Sequence, residues 1–180
     1  MSDLPPVFDE LYTCSRCGLD YESVTVGGAV RLVDAVVAEL PGILGQLPTG
    51  ALRRRPTPME WSPIEYACHV RDVLAANTVR LHRGLHEDVP ALAPLYADLR
   101  ATRFDYRAAS IEAVVEGLRA HAKGFAAEVA AVPTPDWERQ VMRRDGSRAQ
   151  VRTLRWLARQ AAHESVHHRN DIVRAGSDDA

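Results

Sequence analysis

Ala161-Ala162-His163-Glu164-Ser165-Val166-His167-His168-Arg169-Asn170-Asp171-Ile172 is the stretch from which the fold is read. Three of the chain's seven histidines lie in it, beside two carboxylates. Residues four apart stack on one helix face, so two pairs compete as neighbours, His163/His167 and Glu164/His168. Leu154, Leu157, Ala161, Ser165, His168 and Ile172 follow the 3.6-residue repeat of a core-facing stripe. Glu164 borders that stripe, whereas His163 and His167 rotate with Gln160 toward the expected polar side. A carboxylate and an imidazole turned inward are costly unless they are paired or hold a metal. Glu with His suits a divalent ion such as Zn or Ni. The competing reading is a surface helix with wet histidines.

The other strong candidate ligand is His69, in Trp61-Ser62-Pro63-Ile64-Glu65-Tyr66-Ala67-Cys68-His69-Val70-Arg71-Asp72, where the competing reading of a lone helical histidine is a satisfied core residue. Ser62 suits an N-cap, Pro63 the first helical position, and Glu65 the third position of a capping box. His69 therefore sits about two turns into a helix. Asp72, one turn further, either orients a ligand or forms an ion pair.

The ordered pattern Trp-Ser-Pro…His-x-x-Asp, then His-Glu-x-x-His-His-x-x-Asp-Ile, resembles the DinB-like four-helix-bundle metalloproteins over residues 25 to 174. That family includes relatives of the mycothiol-dependent maleylpyruvate isomerases. The resemblance implies one metal ligand from the second helix and two, four residues apart, from the fourth. The second of these stands three residues before a polar-apolar pair, here Asp171-Ile172. The implied set is His69, Glu164 and His168, the set that periodicity also favours, with Asp72, His163 and His167 as supporting or alternative groups. The Glu/His pair resembles the mycothiol isomerase branch, which implies a low-molecular-weight thiol as cosubstrate. That branch often carries a further C-terminal domain that is missing here, so S-transfer to an electrophilic small molecule is expected rather than isomerisation. The alternatives are a metal-dependent hydrolase and a non-catalytic bundle that binds metal or a partner. The family also implies a homodimer.

Outward from these helices, 180 residues with 46% hydrophobic content fit one domain with a sizeable core. A formal charge of −2 gives no bulk bias toward nucleic acid or an anionic membrane. No apolar run is long enough to span a bilayer and the N-terminus lacks a leader pattern, so a cytoplasmic protein is expected. Residues 1–24 form a distinct segment holding Cys14-Ser15-Arg16-Cys17-Gly18. Three readings of it stay open: a zinc knuckle completed by ligands elsewhere, a redox pair, or free thiols. Cys68 reads as a small core residue.

Four long helices are expected, at about 26–47, 63–86, 110–132 and 154–175, with Pro41 able to kink or divide the first. His82 and His86 read as exposed groups near a helix end. Residues 87–105 form a long connection with a brief helix, and residues 137–151 an irregular segment or small hairpin turning at Asp145-Gly146. The fold class is all-α: a four-helix bundle over residues 25–175, for which the resemblance implies a long crossover connection. Residues 176–180 are a tail.

Overall fold

A computed structural model describes residues 9–145 and 148–177 of the chain. Its long helices are α1 (Val26–Gln46), α3 (Pro63–His86), α5 (Ile111–Ala131) and α6 (Leu154–Ser177). Short helices α2 (Thr49–Arg53) and α4 (Ala97–Arg103) lie in the connections. Local chemistry sets the helix starts. Thr25 Oγ1 accepts from the Gly28 N–H at 3.0 Å, and Ser110 Oγ from Ala113 N–H at 3.1 Å. The Glu65 carboxylate reaches back to Ser62 N–H at 2.9 Å, completing the expected box. Thr153 Oγ1 accepts from the Trp156 N–H at 3.1 Å, which starts α6 one residue after the expected cap. Pro41 lies inside α1 without dividing it.

Each long helix buries a stripe against two others. Helix α1 packs on α5 and α6, and α3 packs on the same two, so α1 and α3 are diagonal partners. Consecutive long helices are therefore not always neighbours: the 47–62 linker joins diagonal helices, and so does the segment from residue 132 to 153. The core between them holds Leu40, Leu44, Leu74, Leu118, Phe125, Trp156 and Leu157, all essentially inaccessible to solvent. Burying each such side chain contributes roughly 1.5–3 kcal/mol, an upper figure because denatured chains are themselves partly collapsed.

The segment before α6 forms strands β2 (Gln140–Asp145) and β3 (Arg148–Thr153), paired antiparallel as the hairpin reading expected. Gly146, in the expected turn, lies outside the described residues. A third strand, β1 (Ala91–Leu92), pairs parallel to β2 and was not foreseen, because two residues carry no alternation to read. The pairing ties the α3–α5 connection to the base of α6. Residues 9–24 run over the outer side of α6, held by Tyr21, which is fully buried, and by Glu10, which accepts from Thr153 N–H at 2.7 Å. No helix among the described residues is long and apolar enough to cross a membrane.

Candidate metal centre

The capped start of α3 and the middle of α6 bring three side chains together. Nitrogen atoms of His69 and His168 and an oxygen of Glu164 all lie within 4.8 Å of one another. Glu164 Oε2 is 3.4 Å from His69 Nε2 and 3.1 Å from His168 Nε2. Ligands about 2.0–2.2 Å from a tetrahedral zinc stand about 3.3 Å from each other, so both spacings fit one ion. The donor set fits as well: two borderline imidazoles and one hard carboxylate suit Zn or Ni.

The surrounding groups hold these three in place. Gln160 donates to Glu164 Oε1 at 3.0 Å and accepts from Asn77 Nδ2 at 2.9 Å, a buried relay that fixes the carboxylate. His168 Nδ1 lies 3.0 Å from Asp171 Oδ2. A carboxylate behind a ligating histidine fixes its ring and raises its basicity. Tyr66 stacks on the His168 ring at 5.3 Å, and the Trp61 edge meets His69 at 5.0 Å.

Electrostatics follow from this enclosure. Burial depresses His69 below its ordinary value, so it is a neutral donor near pH 7. Glu164 is held well below the usual carboxylate range: burial opposes ionisation, but hydrogen bonds from His168 and His69 outweigh it. For His168 burial likewise opposes the charged form, and the carboxylates of Asp171 and Glu164 overcome it, giving a pKa of about 9. The two carboxylates thus favour a cationic group at the His168 position, and an ion binding there would displace the Nε2 proton.

The three residues face a cavity of about 500 Å³, which Trp61, Arg80, Tyr96, Arg143 and the 12–16 segment also line. A larger hollow of about 610 Å³ lies on the 49–58 linker, but no histidine or carboxylate lines it. Arg80 lowers its guanidinium into the cavity wall, where burial and the nearby Arg143 push its pKa down to about 10. Its pKa still lies well above 7, so it remains a cation at neutral pH.

The expected ligands converge, one other expectation changes, and the open reading of Asp72 is decided. His163 and Gln160 do not lie on a polar side: both are buried, His163 being 2% exposed. The N-terminal segment covers His163, while Gln160 turns toward Asn77 of α3, so the helix is buried on two sides and a single-stripe reading cannot assign it. Asp72 does not touch His69 but forms an ion-pair cluster with Arg71 at 2.9 Å and Arg100 at 2.6 Å, closed by the Tyr106 hydroxyl. His82 points away from the site and pairs with Glu128 at 3.1 Å, as an exposed group would. Cys14 and Cys17 meet His163 and His167, with Cys14 Sγ 3.4 Å from His167 Nδ1. Sequence reasoning missed Gln160 and Asp171 as supporting groups, although their spacings, four before Glu164 and three after His168, were a usable signal. Tyr12, Tyr21 and Arg80 left no such signal.

A bundle of diagonal helices with an inward His/Glu/His set defines the class: an all-α four-helix bundle with a candidate metal centre. The chain belongs to the DinB superfamily, whose pattern matches residues 32–172. Among solved structures it is similar to YfiT from Bacillus subtilis, at 19% identity with a TM-score of 0.69, covering 86% of this chain and 89% of that one. YfiT is described as "a probable metal-dependent hydrolase with an unusual four-helix bundle topology". At that identity the likeness establishes the fold. No curated protein matches the chain.

Proposed function

We propose that the chain is a divalent-metal enzyme in which His69, Glu164 and His168 hold a Zn or Ni ion and a thiol cosubstrate attacks an electrophilic small molecule in the adjoining cavity. The observation that carries this reading is the convergence of three ligand atoms on an open cavity. Three protein ligands with a free position are the arrangement of catalytic rather than structural sites. When bound, the ion supplies Lewis acidity, lowering the pKa of a coordinated thiol or water toward ~7. The ligand set offers one negative charge against the ion's two, which favours an anionic fourth ligand such as a thiolate. Gln160 and Asn77 hold Glu164 to a single orientation. Trp61 and Tyr66 shield the two imidazoles from bulk water. Arg80 and Arg143 give the cavity positive charge, which favours a thiol or substrate bearing an anionic group.

The thiol reading is supported by the Glu/His pair on α6, which resembles the mycothiol branch of the family. A second reading, hydrolysis, draws on the description of YfiT. Both need the same three ligands and differ in the nucleophile. The test is turnover of a panel of electrophiles by metal-loaded protein with and without a low-molecular-weight thiol. Turnover that needs both metal and thiol is expected. Turnover with metal alone would replace the thiol reading by hydrolysis, and none under any condition would reduce the chain to a metal-binding bundle.

A further inference from the structure

Cys14 lines the cavity, but neither cysteine of the N-terminal segment is among the three residues grouped at the bundle centre. Yet the ligand atoms of Cys14, Cys17, His163 and His167 all lie within 4.8 Å of one another. From the geometry we infer a second metal site: a closed structural zinc centre in which these four residues fasten the N-terminal segment to the outer face of α6.

The local backbone is shaped for it. Cys14 and Cys17 are joined by a tight turn in which Gly18 N–H donates to Cys14 O at 2.8 Å and Cys14 N–H to Leu19 O at 2.9 Å. Gly18 lies at φ +74°, a left-handed conformation that a residue with a Cβ adopts only with strain. The spacings Cys-x-x-Cys and His-x-x-x-His are those of Cys₂His₂ zinc sites.

Each histidine has the outer support that a ligand needs. His163 Nδ1 is 3.1 Å from the Tyr21 hydroxyl, which directs Nε2 to the ion. His167 Nε2 is 3.5 Å from Asp171 Oδ2, leaving Nδ1 on the Cys14 side at 3.4 Å. For zinc–sulfur and zinc–nitrogen bonds of ~2.3 and ~2.0 Å, a tetrahedral S···N separation is about 3.5 Å, close to that observed. Charge also balances. Two thiolates neutralise the dication, so the filled centre can be buried without an unpaired charge. With all four positions taken by protein, the centre has no place for a substrate, unlike the His69/Glu164/His168 site. Its role is to hold the strap that carries Tyr12, Ser15 and Arg16 into the cavity wall.

The experiment loads the full chain, purified under reducing conditions and stripped of metal, with Co(II) and then with Zn(II). The first equivalent of cobalt is expected to give a thiolate-to-cobalt charge-transfer band with tetrahedral visible bands, and zinc to abolish them. Cys14→Ser with Cys17→Ser should remove the band and lower the bound metal by one ion per chain. Should that double variant fail to fold, the cobalt spectrum of the native chain decides alone. Absence of a thiolate band in the native chain would overturn the proposal. So would an unchanged metal count in a folded double variant, or a Cys14–Cys17 disulfide in protein purified with its full metal content. None of these readouts depends on turnover or on the bundle ligands.

Discussion

Asp171 offers a sharp test of how the bundle centre is held. It is buried, and its Oδ2 stands 3.0 Å from His168 Nδ1 and 3.5 Å from His167 Nε2. Its other oxygen accepts from Arg16 at 2.7 Å and Arg174 at 3.0 Å. Asp171→Asn preserves shape and removes the charge behind His168. Loss of such a supporting carboxylate weakens metal binding about 10–100-fold, roughly 1.4–2.7 kcal/mol. The conservative Asn should fall near the lower end and Asp171→Ala near the upper. The ion pairs lost with Arg16 and Arg174 weigh less: those guanidiniums are 60% and 41% exposed, and such pairs contribute at most about 1 kcal/mol. Arg174→Ala is therefore the control, expected to leave affinity within about threefold, since exposed pairs are worth so little. Affinity is measured by competition with a chromophoric chelator in the Cys14→Ser/Cys17→Ser background, with helix content checked by circular dichroism. Equal affinity in Asp171→Asn, Asp171→Ala and native protein would refute the reasoning, as would an Arg174→Ala loss as large as theirs.

Three further predictions concern the scaffold. Arg55→Ala should destabilise the fold by about 3 kcal/mol at pH 7, because it strips the partner from buried Glu65, now bonded at 2.6–3.1 Å. Burial opposes ionisation of Glu65, but Arg55 and the Ser62 N–H hold its pKa below the ordinary value, so its contribution is present above about pH 4.3 and lost as pH falls below it. Urea unfolding should accordingly show the variant's deficit shrinking as the pH drops through that range; a deficit that is constant with pH counts against the assignment. Gly84→Ala places a Cβ 2.3 Å from Leu154 Cδ2 and 2.7 Å from Val141 Cγ1, both on inaccessible side chains. Overpacking of about 1–3 kcal/mol should outweigh the ~1 kcal/mol helix gain and lower Tm by roughly 2–4 °C, whereas a raised Tm would show that the core can yield. A homodimer, proposed from the family resemblance, should give twice the chain mass in solution scattering, and a monomer at high concentration would rule it out.

How much of this was legible in the sequence differs from element to element. Caps and prolines around Ser62-Pro63, Ser110 and Pro133 fixed helix ends to within a residue or two, because their chemistry is local. The convergence of His69, Glu164 and His168 was legible because the helical repeat turns Glu164 and His168 inward and the family resemblance pairs them with His69. The diagonal order of the helices was not readable from the residues, since the stripes on α1 and α3 do not state which partners they meet. His163 and Gln160 were misplaced for a related reason. Tyr21 and the Cys14–Cys17 turn, more than a hundred residues earlier, cover His163, and Gln160 meets Asn77 of α3; periodicity within α6 holds no trace of either partner. The hydroxyl of Tyr21 on His163 and the guanidinium of Arg80 in the cavity are likewise products of tertiary packing.

The proposal on which the other assigned roles rest is that His69, Glu164 and His168 together hold one ion. Its most direct test is zinc or nickel binding by the Cys14→Ser/Cys17→Ser chain, where the bundle site alone remains, with and without His168→Ala. One ion per chain is expected in the first protein and loss of that ion in the second. Failure of the first protein to bind an ion, or undiminished binding in the second, would contradict it.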